Sequence, residues 1–130
     1  MIVVDASAIL EALLRTPAAA AVERRLFDPG QTLHAPHLLD VEVAQVLRRY
    51  AAAGQVDPER CREALTDLTS FPISRYPHDF LLQRVWALRN NLTAYDATYI
   101  ALAEALDAPL LTRDRRLATA PGHHARVETV

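Results

Sequence analysis

Ile2-Val3-Val4-Asp5-Ala6-Ser7-Ala8-Ile9-Leu10 decides how this chain must be read. Three apolar residues, two of them adjacent valines, form a short β-branched-rich run that reads as a buried first strand. Asp5 stops the run at once. Ser7 then stands as a candidate N-cap for a helix through about Leu14. A buried strand that closes on a carboxylate and passes straight into a helix is the opening of an α/β unit.

Working outward, the same alternation repeats. Pro17 suits the first position of a helix over Ala18 to Phe27, and Asp28-Pro29-Gly30 is a turn. Leu33-His34-Ala35 reads as a second strand stopped by Pro36. A long helix follows from His37 to Ala53, ending at Gly54, with an apolar stripe of Leu39, Val43, Val46, Leu47 and Tyr50. Asp57-Pro58 supplies the cap and first residue of a helix to about Thr69. Pro72 to Arg75 is a third strand, and Pro77 opens a helix through Leu88. Thr93 caps a helix continuing to Leu106. Pro109 to Thr112 is a fourth strand, and Asp114 precedes a short helix over Arg115 to Thr119. Arg126 to Thr129 is a last edge strand. Short strands alternating with helices predict an α/β fold with a parallel sheet. No repeat or low-complexity segment interrupts it, and Pro121-Gly122 is the one candidate hinge.

The chain has 130 residues, of which 51% are hydrophobic, so we expect a single domain over 1–130 with a full core. Its formal net charge of −2 neither advertises nor forbids nucleic-acid binding, because a local basic cluster is hidden in a total. All 14 basic residues are Arg. The lack of Lys weighs against a receiver-like module phosphorylated on Asp5 and against aspartate-nucleophile phosphatases, which rely on a Lys near the phosphate. P-loop chemistry fails for the same reason, and the three glycines are scattered. Cys61 is the only cysteine, which fits a reducing cytosol. Asp5 and Glu11 interrupt the apolar N-terminal run and no basic segment precedes it, so no signal peptide is expected.

In open α/β sheets, sites form beyond the carboxyl ends of the strands. Asp5 closes the first strand and Asp114 follows the fourth. Asp96 lies in the first turn of the helix feeding that strand, and Glu42 lies early in the long helix. Four carboxylates at one sheet edge repel each other unless a cation sits among them. Oxygen-only ligands suit hard ions such as Mg²⁺ or Mn²⁺. Each acid also has a plainer reading. Asp5 can be a turn residue, Asp114 a helix cap, and Thr93-Ala94-Tyr95-Asp96 a variant capping box. Glu42 has no basic partner three or four residues away, and periodicity does not choose between it and Asp40 on the other edge of the stripe. Ser7 and Thr112 bring hydroxyls to the same edge. Arg113, Arg115 and Arg116 are candidate phosphate ligands or a solvated loop. Arg24-Arg25 and Arg48-Arg49 read as exposed helix faces, and the five histidines show no metal-binding spacing.

Four segments together resemble the PIN-domain family, and among its members the VapC toxins of toxin–antitoxin pairs. They are Val3-Val4-Asp5-Ala6-Ser7-Ala8, Pro36-His37-Leu38-Leu39-Asp40-Val41-Glu42-Val43, Thr93-Ala94-Tyr95-Asp96-Ala97-Thr98-Tyr99-Ile100-Ala101-Leu102-Ala103, and Leu110-Leu111-Thr112-Arg113-Asp114. Their order and spacing span essentially the whole chain. The resemblance implies a three-layer α/β/α fold with a central, mostly parallel sheet. It implies Mg²⁺- or Mn²⁺-dependent hydrolysis of RNA. It carries the family acids onto Asp5, Glu42, Asp96 and Asp114, thereby choosing Glu42 over Asp40, and it makes Ser7 and Thr112 supporting groups. It further implies a cytoplasmic homodimer and a VapB-type antitoxin. The helices from Pro58 to Leu88, with Phe80 and Trp86, are read either as those surfaces or as plain core. Two other roles fit the same resemblance: a housekeeping RNA-processing nuclease and a non-catalytic PIN-like binding module.

Overall fold

The computed structural model describes residues 1–130. Its first strand, β1 (Ile2–Val4), is buried along its whole length because it has a parallel neighbour on each side. Ile2 and Val3 pair with Leu33 and His34 of β2 (Leu33–Pro36), and Val3 and Val4 pair with Leu110 and Leu111 of β4 (Leu110–Thr112). β3 (Ile73–Tyr76) extends the sheet beyond β2, and β5 (Val127–Thr129) beyond β4. All pairings are parallel and the order is β3-β2-β1-β4-β5. The chain thus runs from β1 to β2 on one side and later returns to β4 on the other. That reversal opens a crevice beyond the carboxyl ends of β1 and β4.

The helices cover the sheet in two groups, giving three layers, α/β/α. α1 (Ala6–Leu14) packs with α2 (Ala19–Leu26), α3 (Leu38–Ala52) and α4 (Pro58–Ser70). α5 (Leu82–Ala87) packs with α6 (Ala94–Leu106), which lies on β1, β2 and β4, while α7 (Arg115–Thr119) rests on β5. Seven consecutive residues of α6, Ala97 to Ala103, are buried. Small Ala residues alternate there with Tyr99, Ile100 and Leu102, so the helix can approach the sheet closely and remain buried nearly all round.

Several local expectations shift. α1 starts two residues earlier than a Ser7 cap implies, because Asp5 is the N-cap. It has extended backbone, and its side chain accepts from the Ala8 N–H. Pro17 and Ala18 form a turn, and α2 begins at Ala19 without a side-chain cap. Pro77 does not open a long helix. A single 3₁₀ turn over Asp79–Leu81 comes first, and α5 is only one and a half turns long. Of the α3 stripe, Leu39, Val43 and Leu47 are buried, whereas Val46 and Tyr50 are half-buried because they face a cleft. Phe80 and Trp86 are not core: they are 58% and 66% exposed, with Leu82 beside them at 56%.

Candidate functional site

The crevice beyond β1 and β4 is a cleft of about 320 Å³, and Asp5, Glu42, Asp96 and Asp114 all line it. A larger groove of about 400 Å³ lies between α1, α2 and α4, but its only acids are Glu23 and Asp67. The smaller cleft therefore holds the convergent acid set.

Asp5 is the best-anchored member. Its Oδ1 accepts from Ser7 Oγ at 2.7 Å and from the Ala8 N–H at 3.1 Å, and its Oδ2 accepts from the Thr112 hydroxyl. The two hydroxyls are themselves acceptors. Ser7 Oγ accepts from the Arg113 N–H at 2.9 Å, and Thr112 Oγ1 accepts from the Asp114 N–H at 3.0 Å. This network ties the β1–α1 turn to the β4–α7 turn across the crevice. Thr112 is fully buried behind Asp5, so it orients the carboxylate rather than facing the cleft. A carboxylate has about four acceptor positions; the three bonds occupy two on Oδ1 and one on Oδ2, which leaves Oδ2 able to meet a further partner.

The other acids enter from helices. Glu42 sits on the cleft side of α3, and Asp40 on the far side, where Arg75 of β3 holds it at 2.8 Å. The ion pair explains why only one of these two acids is available. Tyr99, 2% exposed, donates its hydroxyl to Glu42 Oε1 and fixes that side chain. Thr93 caps α6 by accepting from the Asp96 N–H at 3.2 Å, but no return bond reaches the Thr93 N–H. The cap thus accounts for the Asp96 backbone and leaves its carboxylate facing the cleft. Asp114 caps α7 through the Arg116 N–H at 3.0 Å and also pairs with the Arg116 guanidinium at 2.7 Å.

Electrostatics separate three acids from the fourth. Burial raises the Asp5 carboxyl above its ordinary range against its three hydrogen bonds, and Asp96 adds repulsion. Burial likewise raises Glu42, opposed by Tyr99 and reinforced by Asp5 and Asp96. Asp96 is raised by burial and then by Asp114, with Arg116 pulling the other way. Asp114 is lowered, chiefly by its hydrogen bond from Arg116. Mutual repulsion in a partly buried cleft is the condition a cation relieves. The donors are all oxygen, which fits a hard divalent ion. No three of the acids are drawn together into closed ligating geometry, and Asp114 is engaged by Arg116. Asp5, Glu42 and Asp96 are accordingly the available donors, with Asp114 at the rim. Arg116 is 86% exposed, so releasing Asp114 costs little.

The arginines fall differently from the sequence reading. Arg113 lines the cleft but is tied to Glu11 at 3.8 Å and to the Val130 carbonyl. Arg116 is engaged by Asp114, and Arg115 is exposed and outside the cleft lining. Three lining residues escaped sequence reasoning: Glu11, Arg49 and Tyr99. Tyr99 carried a usable signal, lying three residues after Asp96 and hence on the same helix face.

Residues 2–122 match the family model for the PIN domain. The ribonuclease VapC1 of Mycobacterium tuberculosis is 46% identical over 129 residues, covering 98% of this chain and 96% of that protein. The ribonuclease VapC12 of the same organism is 43% identical over 130 residues, covering 100% and 99%. Among solved structures, VapBC2 of Rickettsia felis bound to a promoter DNA fragment superposes with a TM-score of 0.73 at 14% identity. It covers 99% of this chain and 98% of that one, a likeness of fold.

Proposed function

The chain belongs to the PIN-domain family, and on that premise we propose that it is a divalent-metal-dependent ribonuclease acting as the toxin of a VapBC-type toxin–antitoxin pair. The observation that carries the reading is the convergence of Asp5, Glu42, Asp96 and Asp114 on one cleft at the point where the sheet order reverses. Near-full-length identity to named ribonucleases supports the substrate class.

In this reading Asp5, Glu42 and Asp96 hold Mg²⁺ or Mn²⁺, with Asp114 completing the set from the rim. When bound, the ion supplies Lewis acidity at the phosphodiester and an activated water for in-line attack. Asp5 keeps its orientation through Ser7, Thr112 and the start of α1, so its ligating atom is placed before any ion arrives. Tyr99 holds Glu42 toward the cleft. Phosphodiester hydrolysis by this route leaves a 5′-phosphate and a 3′-hydroxyl. The partner is a VapB-type antitoxin that blocks the site, and the active form is a cytoplasmic homodimer. The exposed Phe80, Leu82 and Trp86 patch is the candidate surface for one of these contacts.

The deciding experiment expresses the chain with and without its co-encoded partner and maps cleaved RNA ends. Growth arrest and new 5′-phosphate ends are expected from the wild type alone and not from Asp5→Asn. Full metal-dependent cleavage by Asp5→Asn sinks the assignment. A chain that cleaves RNA without arresting growth is instead a processing nuclease, and one that never cleaves is a binding module.

A further inference from the structure

We propose that the groove between α3 and the start of α6 seats the RNA strand next to the cleaved bond, with Arg49 on a phosphate and Tyr95 stacked on an unpaired base. The proposal rests on the nuclease reading and adds to it a strand path with two contact residues.

The acid cleft presents a difficulty for a polyanionic substrate: carboxylates that gather a cation also repel phosphates. A cation of the protein must therefore stand beside them to hold the strand. Of the arginines lining the cleft, Arg113 is tied to Glu11 and to the Val130 carbonyl, whereas Arg49 has no acidic partner. Arg49 lies seven residues after Glu42 on α3, about 10 Å along the axis and on the same stripe. It thus stands beside the acids rather than among them.

Arg49 also lines a second groove that continues from the cleft. The two share Ala6, Glu42, Val46 and Arg49. The groove measures about 390 Å³ and adds Leu38, Val41 and Tyr95 as an apolar wall. Val41 is 69% and Tyr95 62% exposed, so the wall is uncovered within the chain. Tyr95 immediately precedes Asp96 on α6, which sets an aromatic face next to a proposed metal ligand. Sequence-tolerant binding of single-stranded RNA uses this pairing, an aromatic platform for bases beside a cation for the backbone.

The test is steady-state cleavage of a short single-stranded RNA with Mn²⁺, read as KM and kcat, with salt dependence. Tyr95→Ala is expected to raise KM on the order of tenfold, and Tyr95→Phe to retain wild-type KM. Arg49→Gln is expected to raise KM and to reduce the salt slope by about 0.7, with Arg49→Lys keeping most of that slope. Rapid mixing with a 2-aminopurine-labelled RNA is expected to show stacking quench in the wild type and none in Tyr95→Ala. Both side chains are exposed, so melting curves are expected to match. Wild-type KM in Arg49→Gln and Tyr95→Ala, with cleavage intact, overturns the strand path and leaves the nuclease reading standing. Unchanged KM with a shift from dimer to monomer by sedimentation overturns it in favour of a contact between copies. A wild-type chain that cleaves no RNA removes the nuclease reading, and this proposal with it.

Discussion

Tyr99 is buried up to its hydroxyl, which donates to Glu42. Burial and the neighbouring carboxylates push its phenol far above the usual range, so it remains a donor at every working pH. Tyr99→Phe is expected to lower Mn²⁺ affinity by about 10-fold or more by isothermal titration, as loss of a ligand's supporting partner does. Combined with Glu42→Gln, the second change is expected to add almost nothing. Asp96 has the opposite character. Its carboxyl is raised by burial and by Asp114, so ionisation is harder in the fold than in the unfolded chain. The sign follows: its contribution is most favourable below about pH 4, where both states are protonated, and is lost as pH rises through the folded value. Asp96→Asn is thus expected to raise the metal-free melting temperature by a few degrees at pH 7, with the gap closing in acid. An unchanged or lower value at pH 7 contradicts the repulsion. Asp5 was legible as a strand-closing acid because the β-branched run before it is local. Its role as N-cap was hidden, since Ser7 is an equally good capping residue and only the backbone angles choose. Glu42 and Asp40 were indistinguishable by periodicity because the arbiter, Arg75, comes from strand β3, distant in sequence from their helix.

At the level of elements, α6 sets the geometry of the cleft, because it delivers Asp96 and Tyr99 from one face and packs on three strands. Its far end is pinned by Glu104. That side chain, 6% exposed, accepts from Arg84 of α5 at 2.7 Å and from the His124 N–H at 2.9 Å. Burial alone pushes the Glu104 carboxyl up, but the bonds from Arg84 and His124 win and hold it below its ordinary range. A lowered carboxyl stabilises the fold above the unfolded value, and that contribution is lost as pH falls through the folded one. Glu104→Gln is expected to cost about 1–3 kcal/mol in urea unfolding at pH 7, discounted for the partly exposed Arg84, and less near pH 3. The helix from Thr93 to Leu106 was readable in advance because cap and apolar run agree. α5 was not: Pro77 resembles a helix start, yet His78 and the 3₁₀ turn intervene before Leu82. For Arg113, Arg115 and Arg116 the sequence leaves phosphate ligands and a solvated loop both open, and the fold assigns two of the three to carboxylates.

The molecule as a whole carries the cost of holding its acids together, and the proposed cation offsets it. Mn²⁺ at about one hundred times its dissociation constant is expected to stabilise the wild type by about 2.7 kcal/mol. A melting shift absent from Asp96→Asn is the readout, and no shift in the wild type contradicts the metal site. The fold class was readable because the strands and most of the helices announce themselves locally. The strand order was not, since nothing along the chain says that β4 must lie against β1. That pairing has a consequence in time. Asp5 and its anchoring partner Thr112 are separated by 107 residues, so the cleft cannot close until the ribosome has added β4. A nascent fragment that stops before Leu110 lacks β4, Thr112 and Asp114. Translation therefore imposes a delay on the site, and a chain broken off before β4 has no anchored Asp5 and no completed acid cleft.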